Sequence, residues 1–137
     1  MTYLLDTNVL SETRKRRPAA GVADWIAATP PDRLHVSVLT LGEIAQGIAR
    51  VRGRGDRHQA SALERWLRDV ETAFEDRVLP VTLPVAAAWG RQQYAPPLPV
   101  IDALIAATAR VHGITVVTRN VKDFERAGVD VLSPFAD

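Results

Sequence analysis

Four acidic side chains stand beside segments that the sequence pattern predicts to be strand ends or helix starts. Asp6 follows the first apolar run, Glu43 follows the second predicted strand, and Asp123 follows the fourth. Asp102 lies in the first turn of an Ala- and Leu-rich helix. In a parallel α/β sheet, the carboxyl ends of the strands and the amino ends of the following helices share one edge, where ligands bind. We therefore predict that these four carboxylates converge at that edge.

Carboxylates held a few ångströms apart repel one another and raise each other's pKa, and a hard divalent cation relieves this repulsion. A ligand set of oxygens, without His or Cys, suits Mg²⁺ or Mn²⁺ better than Zn²⁺. The chain has no cysteine at all, which excludes thiol nucleophiles and Cys-zinc sites. Asn8, Thr118 and Asn120 stand on the adjacent turns and could orient carboxylates or a bound water. Ordinary turn chemistry explains these three residues equally well.

Each acid taken alone also has a purely structural interpretation. Glu43 comes three residues after Thr40, as in a capping box, and Asp102 suits the positive end of a helix dipole. Asp6 and Asp123 can each cap the helix that follows them. The metal-site hypothesis therefore depends on the convergence of the four acids and on no single one.

Short β-branched runs alternate with helical patterns, which predicts an α/β fold: a three-layer α/β/α sandwich on a mainly parallel, twisted sheet. The predicted strands cover residues 3–6, 34–38, 77–81, 114–118 and 129–132. Pro80 places the third strand at an edge, because proline cannot donate to a sheet ladder. A helix is predicted to open at Thr40, and another is predicted to run from Val85 until the prolines at 96–99. Residues 1–137 are predicted to form a single domain, with a helical hairpin at about 41–76.

Charge is distributed unevenly along a nearly neutral chain with a formal net charge of +1. Residues 14–17 form a basic block, and four further arginines cluster at residues 50–57. No apolar run approaches the ~18 residues of a membrane span, and the first residues lack the pattern of a signal peptide. We therefore expect a cytoplasmic protein that does not enter a membrane.

At the acidic positions the sequence resembles the PIN-domain nucleases, and in particular the VapC-type toxins of bacterial toxin–antitoxin pairs. Four segments carry the resemblance over nearly the whole chain: YLLDTNVL at residues 3–10, SVLTLGEI at 37–44, IDALIAATA at 101–109 and VTRNVKDF at 117–124. The resemblance implies that Asp6, Glu43, Asp102 and Asp123 are the acidic quartet of that family. It further implies that Asp6 and Asp102 are the foremost metal ligands.

The same resemblance implies an Mg²⁺-dependent endoribonuclease that forms a homodimer and is inhibited by a cognate antitoxin. Operator DNA would then be bound only through the antitoxin. Hydrolysis by water activated on the metal should leave a 5′-phosphate and a 3′-hydroxyl. The basic block at residues 14–17 is expected to contact RNA phosphates, whereas a solvated charge run is the alternative. The arginines at 50–57 are expected to be solvated or to face the antitoxin.

Other functions fit the sequence less well. A phospho-acceptor receiver domain would need an aspartate after the third strand, where residues 78–82 are apolar or hydroxyl-bearing. No Walker sequence or G-x-G-x-x-G follows any predicted strand, which disfavours nucleotide-binding folds. A non-enzymatic domain that only binds its partner, and DNA as the true substrate, both remain open at this stage.

Overall fold

An all-parallel sheet of five strands runs through the computed structural model, which describes residues 1–135. The strands are β1 (Tyr3–Leu5), β2 (Leu34–Ser37), β3 (Val78–Leu79), β4 (Thr115–Val117) and β5 (Val131–Leu132). Their spatial order is β3-β2-β1-β4-β5. The first strand therefore lies at the centre of the sheet, between β2 and β4, so that the carboxyl ends of these three strands are neighbours.

Within residues 1–135, seven α-helices cover the sheet. They are α1 (Thr7–Leu10), α2 (Ala20–Ala28), α3 (Val38–Gly53), α4 (Arg57–Ala73), α5 (Leu83–Arg91), α6 (Val100–His112) and α7 (Val121–Arg126). Two short 3-10 helices lie at Ser11–Arg14 and Pro31–Arg33. The helices α3 and α4 are joined by three residues and pack against each other as a hairpin. These elements form the predicted sandwich with a parallel sheet.

Alternate side chains of the central strands enter two different cores. Leu5 and Val117 pack with the cluster formed by α1 to α4, whereas Leu4 and Val116 pack with α6 and α7. Because successive strand residues point to opposite faces, the helices must lie on both sides of the sheet. The short, mostly apolar strands are what a sheet covered on both faces requires.

Three local predictions need correction. The third helix begins at Val38 rather than at Thr40, because the hydroxyl of Ser37 accepts from the Leu39 amide at 3.0 Å and caps it. The third strand is an edge strand, as predicted, but it ends at Leu79 immediately before Pro80. The fifth helix ends at Arg91 instead of running on to the prolines, because Gln92 adopts extended backbone angles.

The prediction of one domain over residues 1–137 extends past the described part of the chain, so it stays a prediction. The observed hairpin comprises Val38–Gly53 and Arg57–Ala73, against the expected span of about 41–76. Within residues 1–135, no helix is long and apolar enough to cross a membrane.

Gly21, in the first turn of α2, allows the C-terminal segment to approach the helix closely. A Cβ atom at this position would lie 2.3 Å from the carbonyl oxygen of Pro134, a distance that real Cβ atoms do not tolerate. We expect Gly21→Ala to lower the free energy of unfolding by about 1–3 kcal/mol, because the backbone must move to relieve the overlap. Urea unfolding followed by circular dichroism measures this change.

The matched control is Gly42→Ala, in the interior of α3, where an added Cβ meets nothing within 4 Å. This change should raise the free energy of unfolding by about 0.5–1 kcal/mol, because alanine loses less backbone entropy than glycine. If Gly21→Ala raised the free energy of unfolding as Gly42→Ala does, the close approach at Pro134 would not be a constraint on this fold.

Candidate metal centre

Asp6 occupies the carboxyl end of the central strand β1 and caps the short helix α1. Its backbone amide donates to the Val117 carbonyl at 2.9 Å, which continues the pairing of β1 with β4. Its Oδ1 accepts from the Thr7 amide at 2.9 Å, as an N-cap residue does. The residue is 5% exposed. The capping prediction for Asp6 is thus confirmed, and the cap uses only one of its two carboxylate oxygens.

The second oxygen of Asp6 accepts hydrogen bonds from two of the predicted neighbours. The Thr118 hydroxyl donates to Asp6 Oδ2 at 2.8 Å, and the Asn8 amide donates to the same atom at 3.4 Å. Asn8 is itself held by its Oδ1, which accepts from the Arg119 backbone amide at 3.0 Å. Thr118 is fully buried. The orientation of the Asp6 carboxylate is therefore fixed by side chains from the turns after β1 and β4.

Glu43 lies on α3 and reaches the same edge of the sheet. There it is hydrogen-bonded to Thr7, the residue that follows Asp6. The Thr7 hydroxyl donates to Glu43 Oε1 at 2.8 Å. The capping-box interpretation of Glu43 is wrong, because Ser37 caps α3 and Thr40 lies buried inside the helix. Sequence reasoning also missed Thr7, although its place between Asp6 and Asn8 was a signal that it faces the same edge.

The carboxylates of Asp102 and Asp123 both lie close to the side-chain amide of Asn120. The Asn120 side-chain amide donates to Asp123 Oδ2 at 3.1 Å and lies 3.5 Å from Asp102 Oδ2. Its backbone amide donates to the Thr118 hydroxyl at 2.9 Å. Thr118 therefore contacts Asp6 on one side and Asn120 on the other. This chain of hydrogen bonds connects three of the four acids through the turn after β4.

Asp123 does not cap a helix, contrary to expectation. It is the third residue of α7, and Asn120 holds the N-cap position. Its carboxylate lies 3.6 Å from the Arg126 guanidinium, one turn later. This contact with a cation of the same helix distinguishes Asp123 from the other three acids within residues 1–135.

The electrostatics of the site reflect this convergence. Burial, followed by the charges of Asp6, Glu43 and Asp123 in that order, raises the pKa of Asp102 to about 6. Burial also raises the pKa of Asp6, against the lowering effect of its bonds to Thr118, Thr7 and Asn8. Asp102 therefore lies within range of the charges of the other three acids.

The donor set fits Mg²⁺ or Mn²⁺ by its chemistry, because it consists of carboxylate, hydroxyl and amide oxygens. In the part of the chain that the structure describes, no three His or acidic side chains form a group that could enclose a metal ion. Magnesium does not require such a cage, since one or two carboxylates, several waters and substrate phosphates commonly complete its shell. The fit is therefore to a hydrated cation held by few protein ligands.

Two of the basic residues near the site are already paired. Lys15 forms an ion pair with Glu12, which is buried and also accepts from the Ala19 amide at 2.9 Å. Arg52 forms an ion pair with Glu64 across the helical hairpin at 2.5 Å. The basic block and the arginine cluster are therefore not uniform charge runs, because some members hold the fold together.

Comparison with known proteins gives consistent matches. The family described as PIN domain matches residues 3–130. The chain is 32% identical over 137 residues to a VapC ribonuclease, Y4jK, of Sinorhizobium fredii, which covers 96% of each protein. Among solved structures it is similar to FitAcB from Neisseria gonorrhoeae, with a TM-score of 0.88 and 32% identity over 97% of this chain and 98% of that one. It is also similar to DNA-bound VapBC from Salmonella typhimurium, with a TM-score of 0.74 and 28% identity over 98% of both chains.

Proposed function

The chain belongs to the PIN-domain family, and from that premise we propose that it is a metal-dependent endoribonuclease acting as the toxin of a toxin–antitoxin pair. One observation carries the catalytic part of the proposal: hydrogen bonds through Thr118 and Asn120 connect Asp6, Asp102 and Asp123 at one edge of the sheet. Folding brings these charges together although repulsion opposes it, and a divalent cation is the group that makes the arrangement favourable. The VapC ribonuclease among the relatives supports RNA as the substrate.

We assign the cation to Asp6 and Asp102, with Glu43 and Asp123 completing the acidic site. When bound, Mg²⁺ would neutralise phosphate charge and lower the pKa of the attacking water, and Mn²⁺ could substitute for it. Thr118 and Asn8 orient Asp6, Thr7 orients Glu43, and Asn120 separates Asp102 from Asp123. These hydrogen bonds hold the carboxylates in place before substrate arrives, which reduces the reorganisation that binding requires.

The proposed reaction is hydrolysis of a phosphodiester by water. The water oxygen bonds to phosphorus, the bond from phosphorus to the 3′ oxygen breaks, and that oxygen takes up a proton. An ionised carboxylate of the site can accept the proton that the water loses. The products are a 5′-phosphate and a 3′-hydroxyl, because the 2′-hydroxyl does not attack.

The proposed partners are a cognate antitoxin that inhibits the enzyme, RNA as substrate, and a second copy of the chain in a homodimer. Operator DNA would be contacted through the antitoxin, for which similarity to a DNA-bound VapBC structure is the support. The chain itself has a formal net charge of only +1, which gives little general attraction to duplex DNA. The proposed place of action is the cytoplasm, where the RNA substrate is found.

The test is an assay of purified protein, free of antitoxin, on labelled RNA and on DNA of the same sequence. We expect cleavage of RNA with Mg²⁺ and none with EDTA, and end analysis should find a 5′-phosphate. Cleavage in EDTA, or a 2′,3′-cyclic phosphate product, would contradict the mechanism. Absence of any cleavage, together with tight antitoxin binding, would favour a non-enzymatic binding domain, and preferential cleavage of DNA would correct the substrate.

A further inference from the structure

A groove of about 360 Å³ leads away from the acidic site between the first helical turns and the α3–α4 hairpin. Thr7 and Glu43 line one part of it, so it opens directly beside the proposed scissile position. Arg14 and Arg54 line it further on, together with Gln59 at the start of α4. The groove is thus continuous with the site but is not needed to hold its acids.

Gly47 leaves the groove open. It lines the groove between the side chains of Ile44 and Ile48, and an added Cβ would meet nothing within 4 Å. A glycine in a helix interior destabilises the fold relative to alanine. No close contact in the structure requires glycine here, since any side chain at this position would extend into empty space. The lack of a side chain at Gly47 therefore keeps the groove wide.

The two arginines of the groove are available to an anionic ligand. Throughout residues 1–135, neither Arg14 nor Arg54 forms an ion pair, whereas Lys15 and Arg52 beside them do. Both arginines are exposed. A guanidinium binds phosphate with two parallel hydrogen bonds, so these side chains are suited to a phosphodiester backbone.

The walls of the groove are held in position by side-chain bonds. The Trp66 indole on α4 donates to the Thr13 hydroxyl at 3.1 Å, which joins the hairpin to the 3-10 helix that carries Arg14. The Arg52–Glu64 pair joins α3 to α4. The groove is therefore formed by the folded chain and does not depend on a ligand to assemble it.

We propose that this groove binds the nucleotides of single-stranded RNA that adjoin the scissile phosphodiester, with Arg14 and Arg54 contacting their phosphates. The proposal rests on the proposed ribonuclease function and adds a substrate-binding site to it. The walls of the groove are partly apolar, with Ile48, Val51 and Leu63 among the lining residues. Its continuity with the acidic site, and two guanidinium groups that form no ion pair within residues 1–135, favour a nucleic acid chain as the occupant. This role for Arg54 differs from the one predicted from the sequence, in which the arginines at 50–57 are solvated or face the antitoxin.

The first experiment fills the groove. Gly47→Leu should raise the KM for cleavage of a 20-nucleotide single-stranded RNA by about tenfold or more, because the side chain occupies the space of a bound nucleotide. The matched control is Gly42→Leu on the same helix, which is exposed and does not line the groove. Both changes replace a helical glycine by a good helix former, and circular dichroism verifies that both variants fold.

The second experiment counts phosphate contacts. Fluorescence anisotropy of the labelled RNA, measured in EDTA at several salt concentrations, gives the slope of the logarithm of affinity against the logarithm of salt. Arg14→Ala and Arg54→Ala should each reduce that slope by about 0.7, the value for one contact to a single strand. Arg50→Ala is the control, since Arg50 belongs to the same basic cluster but lies outside the groove.

The outcomes separate this proposal from the proposed function. If the wild-type protein cleaves RNA and Gly47→Leu cleaves it as Gly42→Leu does, the groove proposal is wrong and the ribonuclease assignment stands. If the wild type cleaves no RNA, both fail. If Gly47→Leu loses affinity for the antitoxin but keeps that for RNA, the groove is a protein-docking site and the proposal is overturned. A raised KM with reduced salt slopes supports it.

Discussion

Replacing Asp6 by asparagine is expected to lower the rate of Mg²⁺-dependent RNA cleavage at least about a hundredfold while the fold is retained. Asparagine is as good an N-cap as aspartate, so the bond from the Thr7 amide can persist. What the variant loses is the negative charge at the end of β1, where the proposed cation binds. Single-turnover cleavage of a labelled RNA, at matched Mg²⁺ concentrations, measures the effect.

Asp69→Asn is the matched control, because Asp69 is an exposed acid on α4 and makes the same change in net charge. This variant should cleave RNA at the wild-type rate. Titration calorimetry with Mn²⁺ should find weaker binding to Asp6→Asn and unchanged binding to Asp69→Asn. Equal cleavage by the wild type and Asp6→Asn would remove Asp6 from the proposed mechanism.

Most of the fold was predictable because its strands are short and mostly apolar. The runs at Tyr3–Leu5 and Thr115–Val117 are buried on both faces, and that pattern indicates a parallel sheet covered by helices. The ends of elements were harder to predict. Ser37 and Thr40 are both good capping residues, and only the backbone angles at the strand end decide that Ser37 caps α3.

The sequence was enough to predict which acids form the site, but not which residues those acids contact. Topology alone places Asp6, Glu43 and Asp102 at one edge, because parallel strands end together. The bond between Thr7 and Glu43 joins residues 36 positions apart, and no spacing rule connects them. The pairing of Asp123 with Arg126 does follow helical spacing and could have been found from the sequence.

The four acids therefore do not share the repulsion equally. Hydrogen bonds from Thr118, Thr7 and Asn8 stabilise the ionised form of Asp6. The Thr7 hydroxyl donates to Glu43, and the Arg126 guanidinium lies 3.6 Å from the Asp123 carboxylate. Within residues 1–135, Asp102 has only the amide of Asn120 at 3.5 Å, and burial together with the charges of the other three acids raises its pKa to about 6. Asp102 is thus the acid that gains most from a cation.

Asp102→Asn should abolish cleavage and, in the absence of metal, stabilise the protein. Folding raises the pKa of Asp102 from 3.8 to about 6, so the wild-type protein loses stability as the pH rises through about 6. Asparagine cannot ionise and avoids that loss. After allowance for solvent screening of a half-buried group, we expect the variant to be more stable by on the order of 1 kcal/mol at pH 7.5.

The effect should vanish below about pH 4, where the wild-type carboxyl is protonated in both the folded and unfolded states. Mg²⁺ should reverse the order at pH 7.5, because it stabilises the wild-type protein by binding the folded state and has less affinity for the variant. Thermal unfolding of the wild type and of Asp102→Asn should be measured at pH 7.5 and below about pH 4, in each case with EDTA and with Mg²⁺. These four conditions give the four differences in stability. Asp69→Asn should follow the wild type in all of them. If Asp102→Asn were no more stable in EDTA at pH 7.5, charge repulsion would not be what a cation relieves at this edge of the sheet.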